Sequence, residues 1–447
     1  MTDHAVLRTP LFTLAQSIIG WATLSLILIV VVLFGGNSPV YWTLLGFVVL
    51  ALFALQTVLT FVRGGHWTNR RLAVPACLYL AVLAWGLFQT MPGMPAAWTH
   101  PFWRLSPDAA ATISATPIAG SHSVLRLATY AMVFWIALQA SMNANRALWF
   151  LRAFAVFSSA LALFGLFAAL SGVNIALGEQ ASSNVSATFV NRNSYALYAA
   201  FGLLVNLGVY SNMIHSTETV HGSRKSALRG LIERFFSGAW VFLFGAVICL
   251  SALLLTASRA GVASGLVATL ILVLLLQRKV TGSRAIWLVA TLVLGAFLTV
   301  LSENVLARLS GGAGEMRFVI YREMLANIGD RLMLGHGLGS FQDTFRQHVP
   351  LEAARAEWSL AHSSYLENLW EMGLPAALAF YVALIWVATV ILRGAVLRNR
   401  NRVFSVVALA SLVAGGLHSL VDFSLQMPAT AVVFAFILGV GWAHAWP

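Results

Sequence analysis

Apolar residues run through this chain in blocks of roughly 20, the length that carries a helix across a hydrocarbon core of about 30 Å. The blocks are read as twelve spans, at 11–34, 40–62, 72–90, 122–141, 147–170, 193–213, 237–257, 260–277, 285–301, 370–392, 403–421 and 429–446. Lipid offers no hydrogen bonds to a backbone, so each block is expected to be a helix that satisfies its own N–H and C=O groups. The prediction is an all-α, polytopic membrane protein of about 12 transmembrane helices, forming a single membrane domain over 1–447. The first block exceeds a signal-peptide core and ends in FGGNSP without a small-x-small cleavage site, so it is read as a retained helix.

One segment breaks the rhythm. Residues 302–369, between the ninth and tenth spans, form a long polar loop that holds eight of the fifteen acidic residues. Within it, Arg317 to Gly329 reads as an amphipathic helix, with Phe318, Tyr321, Leu325 and Ile328 at helical spacing. Gly335, Gly337 and Gly339 in LGHGLGSF then mark a tight turn. The loop is too short to make a comfortable domain of its own. It is expected to fold down on the bundle, roof a cavity and act as a subdomain carrying catalytic elements.

Composition agrees with a membrane setting: 59% of residues are hydrophobic and 9% charged, against about 25% charged in soluble domains. The net charge of +12 would suit nucleic acid, but its distribution excludes that partner. Arg63, Arg70 and Arg71, then Arg146, then Arg224, Lys225, Arg229 and Arg234, then Arg278, Lys279 and Arg284, then Arg393, Arg398, Arg400 and Arg402 occupy alternate loops. Positive loops stay inside, which places both termini in the cytoplasm and the long loop on the periplasmic side. Cys77 and Cys249 fall inside apolar blocks without CxxC or zinc-type spacing, and are read as small core residues.

Against this bias, Arg126, Arg192, Arg259, Arg317 and Arg322 lie at or near outer helix ends. A guanidinium at that depth is costly unless it faces a polar cavity or a partner. Several converging would grip a diphosphate through paired hydrogen bonds; the plainer reading is snorkelling or pairing with loop carboxylates such as Glu315 and Glu323. His362, in AHSSYLENLWEMGLP, also has two readings. It is a base placed to take a proton from an acceptor hydroxyl at neutral pH, or a loop residue that caps the following helix. His336 and His348 read as loop residues. His418 and Asp422 are four apart, on one helical face near an outer end, and either tune a site or make a structural contact. No HExxH, HxxxH or DxD pattern occurs, so neither metal nor cofactor is expected.

These motifs together resemble the bacterial O-antigen ligase and polysaccharide polymerase superfamily of integral membrane glycosyltransferases. ATFVNRNSYA at 187–196, TASRAG at 256–261, RFVIYREMLANIGDRLMLGHGLGSF at 317–341, AHSSYLENLWEMGLP at 361–375 and LHSLVDFSLQMPA at 417–429 follow the family's order and sidedness. Ser363 stands where the family commonly has Asn, and His336 replaces a small apolar residue. The resemblance implies a fold of about twelve helices with one large periplasmic loop, in a bacterial inner membrane. It implies transfer of a glycan from undecaprenyl diphosphate to an acceptor hydroxyl, without metal, by inversion. Carried over by position, Arg259, Arg317 and Arg322, with Arg126 and Arg192, become donor-binding candidates and His362 the base. Asn191, Asn193, Tyr321, Tyr365, His418 and Asp422 become supporting residues. A lipid A core sugar or a growing polysaccharide is the expected acceptor, which would place the protein in lipopolysaccharide or polysaccharide biosynthesis. A protein O-oligosaccharyltransferase, a lipid-glycan transporter or a structural assembly protein are the rivals. The enzyme reading requires Arg259, Arg317, Arg322 and His362 to converge on one outward-opening cavity.

Overall fold

A computed structural model describes residues 10–62, 70–106, 108–172, 184–217, 238–276, 313–354 and 356–446. Helices are the only regular elements among the described residues. In chain order they are α1 (Pro10–Val32), α2 (Pro39–Val62), α3 (Ala73–Gln89), α4 (Pro117–Ala140), α5 (Ala144–Ser171), α6 (Arg192–Thr217), α7 (Ala239–Leu255) and α8 (Arg259–Leu276). Three loop helices follow, α9 (Ala313–Asn327), α10 (Phe341–Phe345) and α11 (Ser364–Met372), and then α12 (Leu374–Leu397), α13 (Arg402–His418) and α14 (Pro428–Ala443).

Seven of these helices (α1, α2, α4, α5, α6, α8 and α12) are long and apolar enough to cross a membrane, and α3, α7, α13 and α14 are shorter apolar helices. The chain is a polytopic helical membrane protein. The expected span at 285–301 lies outside the described residues. The tenth expected span begins too early: 370–392 joins the end of α11 to α12, and Gly373, at φ 76°, breaks the two apart. The mismatch has a simple cause, since Trp370 and Met372 look apolar in sequence but are buried under the loop.

Helix α6 is the centre of the bundle. Tyr195 to Phe201 are all at most 2% exposed, so the helix is buried all round, as a core helix must be. It packs against α5, α7, α8, α13 and α14. Outer helices show the reverse: Phe61, Val62 and Leu170 are largely exposed, a surface matched to lipid rather than water.

Among the described residues, Arg146, Arg398 and Arg402 tie helix ends together. Arg146 donates to the Thr13 carbonyl (3.2 Å) and the Gln16 side chain (3.2 Å), Arg402 to the Leu276 carbonyl (3.0 Å), and Arg398 to the His444 carbonyl (2.9 Å). Several of these bonds satisfy carbonyls that a helix C-terminus leaves open.

Candidate functional site

The site is built on Asp422, in the turn between α13 and α14. Its side chain is 1% exposed. One carboxylate oxygen accepts a hydrogen bond from Ser424 Oγ (2.5 Å) and lies 3.5 Å from His418 Nε2. The other accepts from Asn193 Nδ2 (2.8 Å) and lies 3.9 Å from His362 Nδ1. Burial alone would raise the Asp422 pKa, but His362, His418 and Ser424 outweigh it and hold the carboxyl well below the usual carboxylate range. The group is a fixed negative charge at any ordinary pH.

His362 approaches this charge from the long loop. Its ring stands edge-on to Trp358 (5.8 Å between centroids) and Phe423 (4.8 Å). Nδ1 is buried and aimed at Asp422, while the side chain keeps 24% of its surface exposed. The exposed edge is therefore not Nδ1, which leaves Nε2 as the ring nitrogen on the open side. The backbone is gripped on both sides: the Tyr321 hydroxyl donates to the His362 carbonyl (2.6 Å), and the Ala361 N–H donates to Glu367 (2.7 Å). Burial pushes the Tyr321 phenol up to about 12, so it stays a donor.

The expected arginines divide. Arg317, one turn before Tyr321 on α9, donates to the Val421 carbonyl (3.0 Å) beside Asp422. Arg322 does not join it. It is 70% exposed and lies 3.4 Å from Glu323 and 3.9 Å from Glu352. Helix geometry explains the failure: five residues at about 3.6 per turn place two side chains roughly 140° apart, so α9 cannot aim both at one point. Arg259 opens α8 at the edge of the network. Ser258 caps that helix by accepting from the Gly261 N–H (3.3 Å), and a β-carbon at Gly261 would lie 3.3 Å from the His418 ring.

Arg192 is exposed at the start of α6. Its neighbours do the local work: Asn191 accepts from the Asn193 N–H (2.7 Å) as a helix cap, and the Asn193 side-chain amide donates to Asp422. Arg126 donates to Ser123 (3.0 Å), stands over the Trp42 ring (5.7 Å) and acts electrostatically on Glu367 and Glu371. It therefore serves the carboxyls beneath the loop rather than the rim at His362. Tyr365 donates to the Gly416 carbonyl (3.0 Å) and tethers α11 to α13.

The segment 244–381 matches the family described as O-antigen ligase. The chain shares this domain with the O-antigen ligase and polymerase superfamily. The ligase match takes in Arg259, Arg317, Arg322 and His362, and stops short of Asn193, His418 and Asp422, which the fold adds to the same site. No curated protein matches the chain.

Other residues under the long loop were not singled out in the sequence. Glu371 accepts from the Phe341 N–H (3.0 Å), and the Gly339 and Ser340 N–H groups also bond it. The α11 helix thereby holds the Gly-rich turn. Gly335 and Gly337 have φ of 70° and 104°; a β-carbon at Gly335 would sit 2.2 Å from the Glu371 carbonyl oxygen. Arg331 donates to the carbonyls of Gly335 (2.9 Å), Thr99 (3.1 Å) and Trp98 (2.8 Å), pinning residues 91–116 to the long loop. His336 has more than a loop role: it stacks on Trp370 (4.2 Å) and hydrogen-bonds His100 (3.0 Å). Burial pushes both imidazoles down to about 3, so both are neutral. The glycine spacing was the visible signal for this latch; Glu371 and Arg331 carry none.

Two outcomes are expected. Gly335→Ala would press its β-carbon on the Glu371 carbonyl and the Gly373 nitrogen, backbone that no rotamer change relieves, so it should lower stability by about 2 kcal/mol or more, read as a fall in Tm in detergent. Burial pushes Glu371 up to about 7. A carboxyl raised in the folded state contributes stability below its unfolded pKa, and that contribution is lost as pH rises through the folded value. The Tm of Glu371→Gln relative to the native protein should therefore climb between about pH 5 and 8. A difference that stays flat or falls across that window would show that Glu371 does not titrate as described.

Proposed function

We propose that this protein is a glycosyltransferase of the bacterial inner membrane, acting at the periplasmic face. It moves a glycan from undecaprenyl diphosphate to a hydroxyl of a lipid A core sugar or a growing polysaccharide. Both termini are then cytoplasmic, in keeping with the alternation of arginine-rich loops along the chain. The observation that supports the reading is that His362, beside the buried carboxylate of Asp422, and Arg317, bonded to the adjoining Val421 carbonyl, both come from the segment that matches the ligase family.

The acceptor oxygen attacks the anomeric carbon as His362 Nε2 takes its proton. The bond from that carbon to the diphosphate oxygen breaks, its electron pair leaves on the phosphate, and configuration inverts. Asp422 opposite Nδ1 fixes the tautomer that leaves Nε2 free to accept, and stabilises the imidazolium that forms. Negative charge grows on the leaving diphosphate, where Arg317 and Arg259 stabilise it more in the transition state than in the bound donor. No nucleotide sugar or metal is assigned a part. Water finally takes the proton from His362.

Purified protein in nanodiscs, given undecaprenyl-diphosphate glycan and candidate acceptors, should form product. His362→Ala should abolish transfer while membrane insertion stays normal. Asp422→Asn should lower kcat on the order of 1,000-fold, between the cost of a lost electrostatic donor and that of a lost orienting carboxylate. Arg317→Lys should cost about tenfold or more because the guanidinium fork is lost, whereas Arg322→Ala should stay within about twofold, as for an exposed ion pair. Normal product from His362→Ala would remove it as the base. Equal losses at Arg317 and Arg322 would mean that the donor meets α9 on its outer face.

A further inference from the structure

Glu367 is 3% exposed, in a nine-residue helix that roofs the site. Burying a carboxyl is costly, and helix capping does not account for it. In a capping box the third helical residue reaches back to the cap itself. Glu367 is the fourth residue of α11, and reaches past the cap, Ser363, to the N–H of Ala361 (2.7 Å). The bond lands on the residue before His362, whose φ of 56° lies in the left-handed region. A non-glycine residue is strained there, and persists only when its surroundings dictate it.

We propose that Glu367 is a positioning residue for His362: its carboxyl holds the Ala361 N–H while the Tyr321 hydroxyl holds the His362 carbonyl, and the two grips fix the left-handed turn that aims the imidazole at Asp422. Released from either grip, the backbone relaxes to negative φ and the ring swings away from the carboxylate. The inference rests on the proposed role of His362 for its kinetic consequence, but not for its structural one.

The form in which Glu367 works follows from its surroundings. Burial first, and then Glu371, push it well above the usual carboxylate range, against the opposing pull of Ala361, Gln426 and Arg126. Burial favours the protonated form; Glu367 accepts from the Ala361 N–H, and Gln426 bonds the same carboxyl group. A glutamine amide reproduces both bonds, its carbonyl accepting and its NH₂ donating once the Gln426 amide turns over.

The test compares Glu367→Gln, Glu367→Ala and the native protein by two readouts. The first needs no substrate: carbethoxylation of His362 by diethyl pyrocarbonate, followed by peptide mass spectrometry. The rate should rise several-fold in Glu367→Ala, as the ring leaves its cage, and return to the native value in Glu367→Gln. The second is glycan transfer. Glu367→Ala should lose on the order of 100-fold in kcat, the cost of misplacing a catalytic group by about 1 Å, with donor KM little changed, and Glu367→Gln should restore most of it. Unchanged His362 reactivity in a folded Glu367→Ala protein overturns the proposal. So does a Glu367→Gln protein as impaired as the alanine variant, which would mean that the carboxyl itself moves a proton. Should Glu367→Ala fail to fold, the native-like reactivity expected of Glu367→Gln still decides, since loss of His362 order there overturns the claim equally. A native protein that transfers no glycan, yet shows the expected reactivity pattern, would refute the proposed function and leave the positioning role standing.

Discussion

A carboxylate removed from water must be surrounded by donors, or it will take up a proton or pull the fold apart. Asp422 meets that demand with groups from four separate parts of the chain: Asn193 at the start of α6, His418 at the end of α13, Ser424 in its own turn and His362 in the long loop. None of these donors is close to another in sequence except His418 and Ser424. The charge can be buried only when bundle and loop are assembled, so a single electrostatic requirement registers the loop over the helices. Ser364 strengthens the seam, its N–H donating to the Ser419 carbonyl and its hydroxyl to that of Asp422.

Helix α11 transmits this registration through the loop. Its first turn holds the His362 segment through Glu367, and its last holds the Gly-rich turn through Glu371 and the Trp370 and Glu371 carbonyls, which accept from His336 and Gly337. The two glutamates lie one helical turn apart, on the buried face, and repel each other when charged. Arg126 offsets part of that repulsion from the α4 side. A roof element is thus bonded at both ends to the segments it positions, which suits a site that must stay ordered at the edge of a fluid bilayer.

Much of this was legible in the sequence. Eleven apolar blocks coincide with apolar helices because lipid imposes a minimum length and a uniform chemistry on each. The family motifs carried His362, Arg259 and Arg317 to one end of the fold. The i, i+4 spacing of His418 and Asp422 was visible, but not that Asp422 also faces His362 and Asn193, since contacts across about 60 and 230 residues leave no periodic trace. Arg322 failed for the opposite reason. Its motif context was persuasive, while the helical spacing from Arg317 already forbade a shared target. Glu367 and Glu371 were hidden because acidic residues in a loop helix read as solvent-facing. Only the tertiary fold puts the polar face of α11 inside.

The balance of charge bears on how an anionic donor would be received. One fixed carboxylate stands at the centre, and Arg317 gives one of its five N–H donors to the Val421 carbonyl. That bond holds the guanidinium plane without neutralising it, since a carbonyl carries no net charge. Had Arg317 paired with Asp422 itself, the two charges would have cancelled and His362 would have lost its counter-ion. The backbone carbonyl keeps them apart, so that carboxylate and guanidinium serve different partners. In the proposed reaction the carboxylate would support positive charge on the imidazole, and the guanidinium negative charge on a leaving group. Proton uptake and bond cleavage place opposite charges on neighbouring atoms at the same moment, and a site whose ion pair was already closed would stabilise neither.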